Sequence, residues 1–332
     1  MNKPLISVVV PVHNGAQWLK ETLDSIFEQT YPYFQVVLVD DASSDALGEV
    51  LASFGDSRLL TTHLKKNVGV SAARNLGIHL AKGDFIAFCD ADDVCHPQRF
   101  ENQLNFLEQH SNIDLCGSAF TCFDTIDREV VVNPVSDEEI KKAMMLGNAF
   151  GLSTVMARAD IFKTNRFDES LNVSEDYDLW TRLAVSGARL ANLPDKLVRY
   201  RWHPHQASRD KGVSLDQAAR KIRSEYCVGM LNAPHLLTKV RSASIELRDL
   251  EETVHYVALQ KNYEPRAFRF MLAWMYQLLP NHGWLSWLKW RKMQKKLQLD
   301  LDWNYCLNTF LLACLPSSLG HKYFDTLIKL KR

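Results

Sequence analysis

The run Phe85-Ile86-Ala87-Phe88-Cys89 is apolar without interruption and then gives way to Asp90, Asp92 and Asp93, three carboxylates within four residues. Such a run reads as a buried strand, and carboxylates crowded at its end repel one another if they are partly buried, so the cluster calls for a cation. Oxygen ligands of this kind suit a hard divalent ion such as Mg²⁺ or Mn²⁺. In an open α/β sheet the C-terminal ends of the strands are also where ligands bind. The competing reading is a polar turn in which Asp92 and Asp93 cap the next helix.

The first hundred residues alternate strand and helix patterns. Strand-like runs occupy Ile6–Val10, Gln35–Val39, Arg58–Thr61 and Phe85–Cys89. Between the first two, Trp18, Leu19, Leu23, Ile26 and Phe27 recur at helical spacing, with Asn14 placed to cap the start. Between the last two, Ala72, Ala73, Leu76, Leu80 and Ala81 do the same. Such alternation predicts a mostly parallel sheet flanked by helices, with right-handed crossovers. Beyond Asp93 the pattern is mixed: Leu152–Ala157 and Leu197–Tyr200 read as strands, Tyr177–Ser186 as a helix. From about Leu215 the alternation stops, and Leu215–Leu259 and Pro265–Leu299 read as helical. The expected organisation is an α/β domain over 1–210 followed by a smaller helical region over 211–332.

Lysine plus arginine and aspartate plus glutamate each number 39, and this balance argues against a nucleic-acid binder. Seven cysteines without paired metal-ligand spacing fit a reducing compartment. No segment approaches the roughly 20 apolar residues that span a bilayer. The chain is therefore expected in the cytoplasm, or attached to a membrane from that side.

Five further stretches accompany the acidic cluster. Pro11-Val12-His13-Asn14-Gly15 and Asp40-Asp41-Ala42-Ser43-Ser44-Asp45 follow the first two strands and, if those strands are neighbours, lie beside the acidic cluster, where an Asp can accept hydrogen bonds from a nucleobase or ribose, or simply close a turn. Asn67 to Gly77 opens a helix whose N–H groups and Arg74 can hold an anion. Ser174-Glu175-Asp176-Tyr177-Asp178 sets adjacent carboxylates at a helix start, as a general base or as complements to the helix dipole. Tyr200-Arg201-Trp202-His203-Pro204-His205 supplies late imidazoles.

Taken in order, Ser7-Val8-Val9-Val10-Pro11-Val12-His13-Asn14, Val39-Asp40-Asp41-Ala42-Ser43-Ser44-Asp45, Gly69-Val70-Ser71-Ala72-Ala73-Arg74-Asn75, Asp90-Ala91-Asp92-Asp93 and Ser174-Glu175-Asp176-Tyr177-Asp178-Leu179-Trp180 strongly resemble the family 2 glycosyltransferases over about residues 5–210. The resemblance implies a GT-A type, Rossmann-like fold and metal-dependent inverting transfer of a sugar from a nucleotide diphosphate sugar to a glycan or lipid-linked hydroxyl. It implies roles for individual residues too. Asp41 would recognise the base, with Pro11 and His13 lining its pocket and Arg74 near the nucleotide. Asp90 and Asp92 match the family's DXD motif, Asp92 as ligand to Mn²⁺ or Mg²⁺ and Asp90 near the ribose or metal, with His203 as a late diphosphate or metal ligand. Asp176, beside Glu175, would be the base, and Asp93 a helix cap. The family further suggests bacterial surface-polysaccharide or lipopolysaccharide synthesis.

Two other classes stay open at this point. A non-catalytic nucleotide-sugar-binding module would keep Asp41 but lack a base. A sugar nucleotidyltransferase would carry a glycine- and lysine-rich loop after the first strand, which Pro11–Gly15 is not. Gly283–Leu297 mixes tryptophan with lysine and arginine. It either lies at a membrane interface beside anionic headgroups or packs as an ordinary amphipathic helix.

Overall fold

A computed structural model describes residues 3–124, 128–131, 133–203, 212–242, 244–259 and 275. The tryptophan- and lysine-rich stretch and the helix expected over Pro265–Leu299 lie outside the described residues. The chain divides into two compact units, Met1–Ile222 and Arg223–Arg332.

The first unit opens with β1 (Ile6–Val12), α1 (Ala16–Phe27), β2 (Phe34–Asp40), α2 (Leu47–Ala52), β3 (Leu59–His63), α3 (Val70–Leu80) and β4 (Phe85–Phe88). It continues through β5 (Val94–Cys95), α4 (Arg99–Gln109), β6 (Leu115–Asp124), β7 (Arg128–Val131) and α5 (Asp137–Met144). After these come β8 (Met156–Arg158), α6 (Glu175–Val185) and β9 (Leu190–Trp202), and then α7 (Gly212–Gly229), which crosses the division between the units. The second unit also includes α8 (Pro234–Arg241) and α9 (Leu247–Leu259).

All seven residues of β1 are buried, as a strand covered on both faces requires. The sheet runs β3-β2-β1-β4-β8-β6-β9-β5, with β7 paired to β6. The β3-β2-β1-β4 half is parallel, whereas β8 runs antiparallel to both β4 and β6. Register aligns Val12 with Asp40 and Asp40 with His63, and Val9 with Phe88. The turns after β1, β2 and β4 therefore open along one edge. Helix α1 buries Leu19, Leu23 and Ile26 in the core shared with β1 and β2. Helix α3 sits so close to β1 that a Cβ on Gly77 would lie 2.5 Å from Val9 Cγ1.

Three local expectations are corrected. Asn14 does not cap α1: its backbone is left-handed (φ 54°) and its Oδ1 accepts from Ser44 N at 2.8 Å. The first N–H of α1, on Ala16, donates instead to Asp45 Oδ2 at 2.9 Å, so the turns after β1 and β2 are laced together. The stretch Leu152–Ala157 is not one strand; Leu152–Thr154 forms a 3-10 turn before β8. Asp93 is not a helix cap but fully buried, with Oδ1 accepting from Arg201 N at 2.9 Å.

Candidate active site

The edge beyond β1 and β2 is built from paired turns. Asp41 is buried, and its two carboxylate oxygens accept from Val68 N (2.7 Å) and Gly69 N (2.9 Å). This fixes the entry to α3, where Gly69 takes a left-handed φ of 91° that a side chain would strain. His13 Nδ1 hydrogen-bonds the Asp41 carbonyl at 2.7 Å, and its Nε2 lies 3.1 Å from Asn14 Nδ2. Because Asn14 Oδ1 accepts from Ser44 N, its amide nitrogen must face His13, so Nε2 is the acceptor and Nδ1 carries the proton. Both ring edges are occupied, which leaves the imidazole face to meet a ligand. Pro11 is buried within β1, paired with Val39.

The turn after β4 is held from three directions. Ser153 Oγ accepts from Asp90 N at 2.9 Å. Arg201, near the end of β9, donates from Nε to the Asp92 carbonyl at 2.8 Å and pairs with Glu21 and Asp124. Arg201 thus stitches the end of β9 onto the acidic turn and brings His203 Nε2 to 3.0 Å from Asp92 Oδ2. The His203 ring stacks on Trp18 of α1, centroids 4.0 Å apart. Burial raises the Asp92 pKa, the Asp90 charge adds to this, and His203 pulls it back. Burial and the charges of Asp92 and Asp90 push Asp93 well above the usual carboxylate range.

Asp90 turns the other way. Its Oδ1 accepts from Arg74 Nη2 at 2.8 Å, and Arg74 Nη1 donates to Glu175 Oε1 at 2.5 Å. Arg74 is 4% exposed, and burial disfavours its charge. The carboxylates of Asp90 and Glu175 outweigh that cost and raise its pKa. The guanidinium expected to face an anion is instead a bridge between two protein carboxylates.

Next to Glu175, Asp176 is half-buried at the first turn of α6. Its Oδ1 accepts from Tyr177 N and its Oδ2 from Asn148 Nδ2, both at 2.7 Å. Burial and the Glu175 charge raise its pKa to about 7, against the opposing pull of the Tyr177 amide, Arg74 and Asn148. That value suits a group that must take a proton near neutrality.

The structure therefore brings Arg74, Asp90, Glu175 and Asp176 into one chain of contacts, joins Asp92 to His203, and sets Pro11, His13 and Asp41 in neighbouring turns. Among the described residues no three His, Cys, Asp or Glu side chains are gathered closely enough to hold an ion by themselves. Asp90 meets Arg74 through Oδ1, while Asp92 and His203 meet each other. Trp18, Asn148, Ser153 and Arg201 escaped the sequence reading. Only Arg201 carried a signal, its place beside His203. A cavity of about 490 Å³ opens at the other end of β4, lined by Lys82, Asp84, Arg158 and Asp160 among others, away from this cluster. Among the described residues no helix is long and apolar enough to cross a membrane.

Comparison with known proteins bears on the family and the fold. The family model described as Glycosyl transferase family 2 matches residues 7–166 and so stops short of Glu175. An uncharacterised glycosyltransferase of Methanocaldococcus jannaschii is 31% identical over 208 residues, 60% of this chain and 72% of that protein. The amylovoran biosynthesis glycosyltransferase AmsE of Erwinia amylovora is 30% identical over 214 residues, 63% of this chain and 80% of its own length. Among solved structures, S. aureus TarS 1-349 in complex with UDP-GlcNAc superposes with a TM-score of 0.61 at 17% identity, covering 93% of this chain and 90% of that one, a likeness of fold.

Proposed function

We propose, for a chain that belongs to the family 2 glycosyltransferases, that it moves a sugar from a nucleoside diphosphate sugar to an acceptor hydroxyl, with inversion at the anomeric carbon. The observation that carries this reading is the Arg74 bridge, which ties the acidic turn at Asp90 to the carboxylate pair of α6. A diphosphate-binding edge and a proton acceptor are then parts of one framework, as a single displacement requires.

In this reading the face of His13 and the turn held by Asp41 receive the base. Asp92 and His203 hold a divalent ion, and the residues fit one. Asp92 is a partly buried carboxylate whose ionisation is disfavoured by burial and by Asp90, and a nearby cation relieves both. Asp92 and His203 would hold Mg²⁺ or Mn²⁺ as few protein ligands commonly do at nucleotide sites. When bound, the ion stabilises negative charge on the leaving diphosphate. Asp176 takes the proton from the acceptor hydroxyl through Oδ2 as that oxygen attacks the anomeric carbon from the face opposite the diphosphate. Glu175, locked to Arg74, keeps the neighbouring carboxylate basic by its charge.

The names of two comparison proteins narrow the classes to try. TarS has been solved with UDP and with UDP-GlcNAc, and AmsE is named for amylovoran biosynthesis. A nucleoside diphosphate sugar as donor, and a growing surface polysaccharide or its lipid-linked precursor as acceptor, are the corresponding proposals here. The test is a thermal-shift screen of UDP-, GDP- and dTDP-sugars with and without Mn²⁺ or Mg²⁺, because a ligand specific to the folded state stabilises it according to its affinity. One nucleotide sugar should raise the melting temperature only with the metal, and Asp92→Asn should abolish that dependence. A metal-independent shift unchanged in Asp92→Asn would overturn the metal assignment.

A further inference from the structure

Asp176 Oδ2 accepts a hydrogen bond from the side chain of Asn148, its one partner among the described residues. Asn148 lies between α5 and the 3-10 turn at Leu152–Thr154, a stretch in which the sequence shows no motif. Its amide orientation is set twice over. The Oδ1 end accepts from Phe150 N at 3.2 Å, and the Nδ2 end meets a carboxylate, which can only accept. A flipped amide would set oxygen against oxygen at Asp176 and N–H against N–H at Phe150.

The stretch carrying Asn148 is also pinned to the helix that carries Asp176. Tyr177 Oη donates to the Met144 carbonyl, and Phe150, 5% exposed, packs edge-on against Trp180 with centroids 6.1 Å apart. The Ala149 carbonyl accepts from Asn192 Nδ2 at 3.3 Å, tying the same stretch to β9. Asn148 is thus anchored on either side of a side chain that is itself exposed, beside a carboxylate expected to work on an incoming hydroxyl.

We propose that Asn148 is a positioning residue for Asp176: its Nδ2–H occupies one lone pair of Oδ2, and the remaining lone pair of that oxygen is thereby aimed at the acceptor hydroxyl. The proposal rests on the reading of Asp176 as the base. The donated hydrogen bond has a second effect. The groups that raise the basicity of Asp176 are burial and Glu175 on the same helix; Arg74 on α3, the Tyr177 amide and Asn148 oppose them. Asn148 therefore keeps the carboxylate ionised enough to act near neutral pH while fixing its rotamer.

The experiment follows Asp176 directly. In the full chain labelled with ¹³C-carboxyl aspartate, its resonance is assigned by its loss in Asp176→Asn and titrated in the wild type, Asn148→Ala and Asn148→Asp. Asn148→Ala should raise the Asp176 pKa by about one unit, since a donor to the charged form is lost. Asn148→Asp should raise it at least as far, because a second carboxylate takes the donor's place. Both variants should also slow nucleoside diphosphate release from a panel of UDP-, GDP- and dTDP-sugars by about 10–100-fold, with nucleotide affinity unchanged. A merely structural Asn148 would lower the melting temperature and leave the titration where it was. An unmoved Asp176 titration in both variants overturns the proposal and leaves the base reading standing. Wild-type release by Asp176→Asn instead overturns the base reading, and the role of Asn148 with it, even where the titration shifts.

Discussion

Arg74 and Glu175, 101 residues apart in sequence, meet at 2.5 Å between Nη1 and Oε1. Across the same guanidinium, Nη2 reaches Asp90 at 2.8 Å. One planar cation thus spans the acidic turn after β4 and the start of α6, using the fork geometry that a lysine lacks. Removing one member of a buried ionic group typically costs about 3–5 kcal/mol, because the partners remain charged and lose their counter-ion. Arg74→Ala is therefore expected to lower the stability measured by urea unfolding by that order. Arg74→Lys should recover part of the stability, since one ammonium can serve one carboxylate. Equal midpoints for Arg74→Lys and the wild type would show that the fork has no role.

What the sequence could reveal depended on how far away each partner lies. Strands β1, β2 and β4 were readable because burial on both faces writes itself into consecutive residues. Strand β9 was foreseen only as Leu197–Tyr200, yet it runs from Leu190 to Trp202. Pro194, Asp195 and Lys196 are exposed and read as a turn, and it is here that the register with β6 shifts. Asp93 looked like a cap because acidic residues before helices usually are. Its actual partner, the Arg201 amide, lies 108 residues on, beyond any local pattern. Arg74 was found by its motif but assigned to an anion, since nothing local announces that two carboxylates converge on it. Asn148 had neither a motif nor a periodicity to mark it.

The Asp176 pKa of about 7 makes a two-sided pH prediction. As a base it must be ionised, so transfer should rise with pH through about 7 and then level off, while Asp176→Asn should lose about 10²–10⁴-fold in rate with nucleotide binding retained. Stability should move oppositely. The folded state holds this proton more tightly than the unfolded chain, where an aspartate titrates near 3.9, so unfolding free energy falls as pH rises from about 4 to 7. Chemical denaturation across that range should show a shallower fall in Asp176→Asn than in the wild type. Parallel curves for the two proteins would mean that Asp176 titrates normally.

The closeness of α3 to β1 gives a prediction independent of chemistry. A methyl added at Gly77 would sit 2.5 Å from Val9 Cγ1, and Val9 is fully buried in the centre of the sheet. A β-branched side chain in a strand has little rotamer freedom with which to yield. Gly77→Ala should therefore cost about 1–3 kcal/mol through overpacking, despite alanine's better helix propensity. Denaturation midpoints decide between the two effects, and a stabilised Gly77→Ala would mean that the helix lifts away from β1 without penalty.

Trp18 offers the remaining test, because its ring meets the acidic turn through His203. That ring lies 4.0 Å from the imidazole at an interplanar angle of 29°, and His203 Nε2 in turn meets Asp92 Oδ2 at 3.0 Å. If Asp92 and His203 hold the divalent ion, Trp18 sets the plane from which the imidazole approaches it, and supports of this kind are typically worth about 10–100-fold in metal affinity. Trp18→Ala should therefore weaken Mn²⁺ binding, measured by calorimetry in the presence of a nucleoside diphosphate, by that factor. Trp18→Phe, which keeps an aromatic face against the imidazole, should restore most of it. Because Trp18 lies on α1, away from α6, the pH at which transfer rises should stay where Asp176 sets it. A Trp18→Ala protein with wild-type Mn²⁺ affinity would mean that His203 holds its orientation without the Trp18 ring, or takes no part in binding the ion.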